Sequence, residues 1–199
     1  NRVFVSLLDS SSVAVVDAAS NQQTATWSTN STGHSNGIGV TGGRVFVALR
    51  DAASVAIQDA TTGALVATKA VGSLPYGVGA ANGDVWVANF SSSSVTVLDA
   101  ATTNVIATTS GGSSPSLVAP STSSAWVSYF DGGVMQVAND GTLLHNFTTT
   151  GAGSFGVAFN AAANQVYVSN RNNLQIASLD FLGVGVPPQV PSWGNMVSE

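Results

Sequence analysis

DVWVANFSSSSVTVLDAATTNVIATTSGGSSP, residues 84–115, decides how this chain is read. An apolar run, DVWVAN, leads through four serines into a second, VTVLD. A turn-forming stretch follows, then a third run, NVIATTS, and a Gly-Ser-Pro exit. The runs are short, rich in Val and Thr, and bounded by Ser, Asp, Asn and Gly, which is the pattern of β-strands joined by tight turns. The pattern recurs. RVFVSL, RVFVAL, DVWVAN, AWVSYF and QVYVSN begin at positions 2, 44, 84, 125 and 165. A second strand follows each and ends in Asp: VAVVD at Asp17, VAIQD at Asp59, VTVLD at Asp99, QIASLD at Asp180. The fourth unit ends at Asp140, with Asn139 as the alternative for that place. A third strand (TATWST, ALVATKAV, NVIATTS, LLHNFTTT) and a fourth before the next unit (GIGV, YGVGA, SLVAP, FGVAF) complete the period.

Four short strands in about 40 residues make one propeller blade. Composition agrees. The chain is 44% apolar and 8% charged, and blades packed face to face bury both faces of each sheet, so strands need not alternate apolar with polar. No apolar run approaches the roughly 18 residues of a membrane helix. Phe4, Phe46, Trp86, Trp126 and Tyr167 hold one equivalent position, expected to pack between blades. There is no Cys, which excludes disulfides and thiolate sites. Five Lys and Arg against ten Asp and Glu, scattered, give net charge −5, which argues against nucleic acid and anionic membranes as partners.

These repeats resemble the YVTN-type β-propeller repeat, in which VYVAN-like, VSVID-like and VVATI-like strands precede a Gly-Pro-Gly approach to the next blade. The second and third units match it over their length, the first and fifth through two strands, and the fourth more loosely, with Leu117 at the usual Gly. The resemblance implies fold and is nearly silent on function.

The last nine residues, PSWGNMVSE, followed by NRVFVSLLDSSSV, line up with PYGVGAANGDVWVANFSSSSV. The expectation is one all-β domain over 1–199: a five-bladed β-propeller of four-stranded antiparallel blades, residues 191–199 closing the first blade. The rival reading is a fragment of a larger propeller, with 191–199 opening a sixth blade. FLGVGVPPQVP, 181–191, should be the short or distorted outer strand of the fifth blade, because Pro187, Pro188 and Pro191 cannot donate to a ladder.

The recurrent Asp residues fit turns in which the carboxylate accepts backbone N–H bonds. The other rim varies from blade to blade, and variable loops on a fixed scaffold are where sites lie. Tyr76, Phe155 and Trp193 precede the inner strand in three blades, with Asn36 and Ser116 in the other two. His34, Arg50, Asp51 and Arg171 stand beside them. These aromatics either bind a sugar or another small polar-apolar ligand or plug the axial hole. His34 and His145 lack ligand-spaced partners, so no metal is assigned. His34 with Asp51 and a nearby Ser is the one triad composition leaves open. No phosphate loop or dinucleotide motif occurs, and no cofactor is implied.

Sequons stand at Asn30, Asn89 and Asn146, with Asn89 in a position expected to brace the blade. The expected function is a non-enzymatic binding module, extracellular or on a cell surface, for a glycan, small molecule or protein. The alternatives are a lactonase- or cyclase-like enzyme at the channel mouth and a structural repeat domain of a larger surface protein. The calcium carboxylates of gluconolactonase-type enzymes do not carry over, since the sole Glu is Glu199.

Overall fold

A computed structural model describes residues 1–148, 153–170 and the backbone of 175–180. These residues form eighteen strands in five antiparallel sheets. The first sheet holds β1 (Arg2–Leu7), β2 (Ser12–Asp17) and β3 (Gln22–Ser28). The second holds β4 (Ser35–Thr41), β5 (Arg44–Leu49), β6 (Ser54–Asp59) and β7 (Leu65–Ala70). The third holds β8 (Pro75–Ala81), β9 (Asp84–Asn89), β10 (Ser94–Asp99) and β11 (Val105–Ser110). The fourth holds β12 (Pro115–Pro120), β13 (Ser124–Tyr129), β14 (Gly133–Ala138) and β15 (Leu143–Thr148). The fifth holds β16 (Ser154–Asn160), β17 (Gln165–Asn170) and β18 (Gln175–Asp180). Among the described residues there is no α-helix, and Leu8–Ser10 makes one 3-10 turn.

Each sheet is a meander in chain order. Local chemistry sets the turns. Asn82 and Gly83 both take positive φ, 52° and 89°, as a two-residue hairpin between right-twisted strands demands. Asp17, Asp59 and Asp99 close the next turn. The carboxylate of Asp59 accepts the Thr61 and Thr62 N–H groups at 2.9 and 2.7 Å, and the residue four after each Asp (Asn21, Gly63, Thr103) is left-handed. The fourth sheet differs. Ala138, not Asp140, faces Ser124 as Asp99 faces Asp84. The turn there is one residue shorter, and Asp140 accepts the Thr142 N–H at 2.8 Å from outside the strand.

Successive sheets pack face to face. Phe46 of the second sheet buries with Val85 and Val87 of the third. Trp86 of the third buries with Ala125 and Val127 of the fourth, and Trp126 of the fourth with Val166 and Val168 of the fifth. Phe46, Trp86 and Trp126 are buried, so the recurrent aromatic is an inter-sheet packing residue. The strands β4, β8, β12 and β16 lie side by side at the inner edges. Their backbones come close: a Cβ on Gly37 would stand 2.5 Å from the Tyr76 carbonyl oxygen, and one on Gly77 would strike that of Ser116. Glycine at this register is a requirement of close approach. The result is a β-propeller-like array. The expected outer strand at 181–191 and closing strand at 191–199 lie outside the described residues.

Candidate functional site

Two kinds of loop meet on one rim. The Arg50 N–H donates to the His34 carbonyl at 2.9 Å, Phe90 to Leu74 at 3.0 Å and Phe130 to Ser114 at 3.0 Å. Each pair ties the loop after a second strand to the connection entering an inner strand, so the two expected sets of variable residues share a surface. Arg171 and Trp193 lie outside the described residues.

On the side of the first two sheets the rim is polar. The Nδ1 of His34 is 2.7 Å from an Asp51 carboxylate oxygen, and the His34 backbone N–H donates to the same oxygen at 2.9 Å. The Nε2 of His34 points to Asp9, 3.8 Å away, on the first sheet. Those two bonds from His34, side chain first, hold the Asp51 carboxyl below its ordinary range, with the Arg50 charge adding to them. His34 and Asp51 thus converge as one constellation. Asp9 joins them: spacing puts it at the same place as Asp51 in its own repeat, and the structure brings it to His34.

On the side of the third to fifth sheets the rim is aromatic. Tyr76 stands edge-on to Phe155 at 5.9 Å and beside Phe90 at 6.0 Å, and Phe90 meets Phe130 at 6.2 Å. All four rings are half-buried. Phe90 and Phe130 extend the expected group. Their signal was present, since each occupies the place of Arg50 in its own sheet. Ser116 does not line the mouth: it is fully buried and its hydroxyl contacts Ser128 Oγ at 3.0 Å.

Between the two arcs lies a cavity of about 320 Å³ lined by Ser6, Leu8, Ser35, Asn36, Gly37, Tyr76 and Leu117. The Asn36 Nδ2 and Arg50 Nε atoms are buried and have no hydrogen-bond partner among the described residues. Among those residues no three of His, Cys, Asp and Glu are grouped to hold a metal ion. His145 stacks on Trp126, 6.5 Å away with rings 6° from parallel, in the fourth sheet.

The sequons separate. Asn89 is fully buried and its amide donates to Ser94 Oγ at 3.2 Å and Thr96 Oγ1 at 2.9 Å, which leaves no room for a glycan. Asn30 and Asn146 are exposed. The opposite rim repeats. Its carboxylates at Asp17, Asp59, Asp99 and Asp140 are lowered chiefly by the turn N–H groups of Ser20, Thr62, Thr102 and Thr142.

No family model matches the chain, and no curated protein matches it. Solved structures do. The chain is similar to Kuenenia stuttgartiensis hydrazine synthase (15% identity, TM-score 0.72), with 90% of this chain and 63% of that one covered. It is also similar to the computationally designed Ika8 protein (16%, TM-score 0.76, 90% of this chain and 55% of that one). The computationally designed Ika4 protein matches at 15% with TM-score 0.64, over 73% of this chain and 90% of that one. The chain thus spans about three fifths of the first two. At such identities the likeness concerns fold alone. No helix among the described residues is long and apolar enough to cross a membrane.

Proposed function

We propose that this chain is a non-enzymatic binding module of the YVTN-repeat type, extracellular or on a cell surface, whose variable rim takes a glycan, small molecule or protein ligand. The observation that carries the reading is the contrast between rims. One repeats its Asp-closed turns; the other sets an aromatic arc (Tyr76, Phe90, Phe130, Phe155) opposite a polar one (Asp9, His34, Asp51). Aromatic faces beside hydrogen-bonding groups suit ligands with an apolar and a polar side, sugars foremost. Exposed sequons at Asn30 and Asn146 are consistent with secretion. The test is a glycan array and a thermal-shift screen on the wild type, Tyr76→Ala and His34→Ala. Binding lost in both variants supports the proposal; ligands that bind all three proteins equally overturn it.

The five sheets, in this reading, are five blades of a closed ring, the first completed by residues 191–199. Support comes from the first sheet. Val3 and Val5 are 49% and 43% exposed, whereas their equivalents Val45, Val47, Val85 and Val87 are fully buried against the preceding sheet. Closing the ring gives Val3 and Val5 the same cover.

A second reading has a specific observation behind it. An imidazole held by a carboxylate at Nδ1, with Nε2 facing the rim, is the arrangement of a general base. Under it the module is a hydrolase acting on an ester or lactone, and Asp51→Asn abolishes turnover while leaving ligand affinity intact.

A further inference from the structure

We infer that the ligand of the variable rim is an acidic saccharide, a uronate, whose carboxylate is taken by the Arg50 guanidinium where the aromatic arc meets the second sheet. The inference rests on the binding-module reading above and names the ligand class.

Two places recur on this rim, one at the head of each inner strand and one just after each second strand. In the third sheet they hold Tyr76 and Phe90, whose rings lie 6.0 Å apart. In the second sheet they hold Asn36 and Arg50. Asn36 follows the facing pair Ser35–Leu49 as Tyr76 follows Pro75–Asn89, and the Arg50 N–H reaches the His34 carbonyl as that of Phe90 reaches Leu74. The two inner strands touch here, since a Cβ on Gly37 would strike the Tyr76 carbonyl. A carboxamide and a guanidinium thus stand next in line to two rings.

Neither polar group is satisfied within the fold. The Nδ2 of Asn36 and the Nε of Arg50 are buried without a hydrogen-bond partner among the described residues, and a buried donor left unpaired is unfavourable. The Asn36 backbone is already held: Ser6 donates to its carbonyl, as Ser128 does to that of Phe155 at 2.8 Å. The carboxamide is therefore fixed at the wall of the cavity that Tyr76 also lines. Arg50 forms no ion pair among the described residues. Its neighbour Asp51 is turned to His34 at 2.7 Å. The other described arginines serve the opposite rim, Arg2 on the Ala60 and Thr61 carbonyls and Arg44 on that of Ala100. Of the Arg50 guanidinium only Nε is enclosed, and the terminal pair of nitrogens remains for a ligand.

A uronate meets these demands together. Its carboxylate matches the planar fork of an arginine, a ring or hydroxyl oxygen accepts from Asn36, and the C–H face of the pyranose lies on Tyr76 and Phe90. A neutral sugar leaves Arg50 unpaired. A cationic amino sugar answers Asp9 and Asp131, both exposed, and is the rival class.

Calorimetry on the full-length protein separates the classes without any substitution. The probes are trigalacturonate, its fully methyl-esterified form and a trimer of glucosamine, at low salt and about pH 6, where the amine is protonated. The acid is expected to bind at least about tenfold more tightly than the ester, as a charge-assisted hydrogen bond warrants. Arg50→Gln binds acid and ester alike. Arg50→Lys keeps the charge, loses the fork and recovers part of the preference. Tyr76→Ala weakens acid and ester equally. Acid and ester bound equally by the wild type overturn the uronate and leave the binding module. Preference for the glucosamine trimer overturns it in favour of a cationic ligand. An acid preference that survives in Arg50→Gln overturns the assignment to Arg50. Failure of all three probes alongside neutral hits on the glycan array overturns the uronate alone; failure on the array and in the thermal-shift screen as well removes both readings.

Discussion

The repeated Asp turns show what a residue contributes apart from any core. Asp59 and Asp99 are half-buried at their strand ends, and each carboxylate gathers turn N–H groups and is held below its ordinary value by them. A carboxyl whose value is depressed by folding adds stability above its unfolded value, and that stability is lost as pH falls through the folded one. The melting temperature is therefore expected to fall steeply on acidification through the carboxylate range. Asp59→Asn lowers it at pH 7 and flattens that slope, which calorimetry across pH 7 to 3 checks. Asp51 belongs to the other rim and obeys another partner. Carbon-detected NMR titration is expected to place its carboxyl below the ordinary range in the wild type, and His34→Ala to raise it part of the way back, because the substitution removes the imidazole bond and keeps the backbone one. The turn role of Asp17, Asp59 and Asp99 was legible because the residue recurs in register. The pairing of His34 with Asp51 was legible only as proximity of loops, since 17 positions separate them and a bond needs a rotamer.

At the scale of the strand, the decisive feature is burial on both faces. DVWVAN has no exposed position beyond its half-buried first residue, so alternation could not identify it and recurrence had to. Trp86 fills the space between the third and fourth sheets and its indole N–H donates to the Ala138 carbonyl at 3.3 Å. Trp86→Ala is expected to cost about 3–5 kcal/mol, read as a shift in denaturant midpoint. Gly77→Ala tests a different force. Its Cβ strikes backbone of the neighbouring inner strand, which cannot rotate away, and a loss of about 2 kcal/mol is expected. The shortened turn after β14 was not legible. VMQVAND offers two polar residues for the Asp place, and pairing with Ser124 selects Ala138, ahead of both. The same limit hid Ser6. A lone serine in RVFVSL carries no signal until Ser128 is seen bonding to two inner strands at once.

For the whole molecule the question is whether five sheets make a ring or an arc of a larger one, and Val5 decides it. In an arc open at the first sheet, Val5 stays 43% exposed, and Val5→Ala changes stability by no more than about 0.5 kcal/mol, as surface substitutions do. In a closed ring Val5 has the surroundings of Val47, which is fully buried against Val13. Removing two methyl groups from such a core costs roughly 2 kcal/mol, transfer and cavity terms together. Val47→Ala therefore serves as the internal standard. Closure predicts equal losses for the two variants in urea melts of the same protein, and an arc predicts a loss for Val47→Ala alone. Size in solution gives an independent reading. A closed ring of 199 residues should scatter with a radius of gyration of about 16 Å by compact-domain scaling, unchanged with concentration. An arc exposing the Val3 and Val5 face presents an apolar surface that drives association, and its radius rises as the protein is concentrated. Equal losses with a constant small radius establish the ring; a silent Val5→Ala with a growing radius establishes the arc.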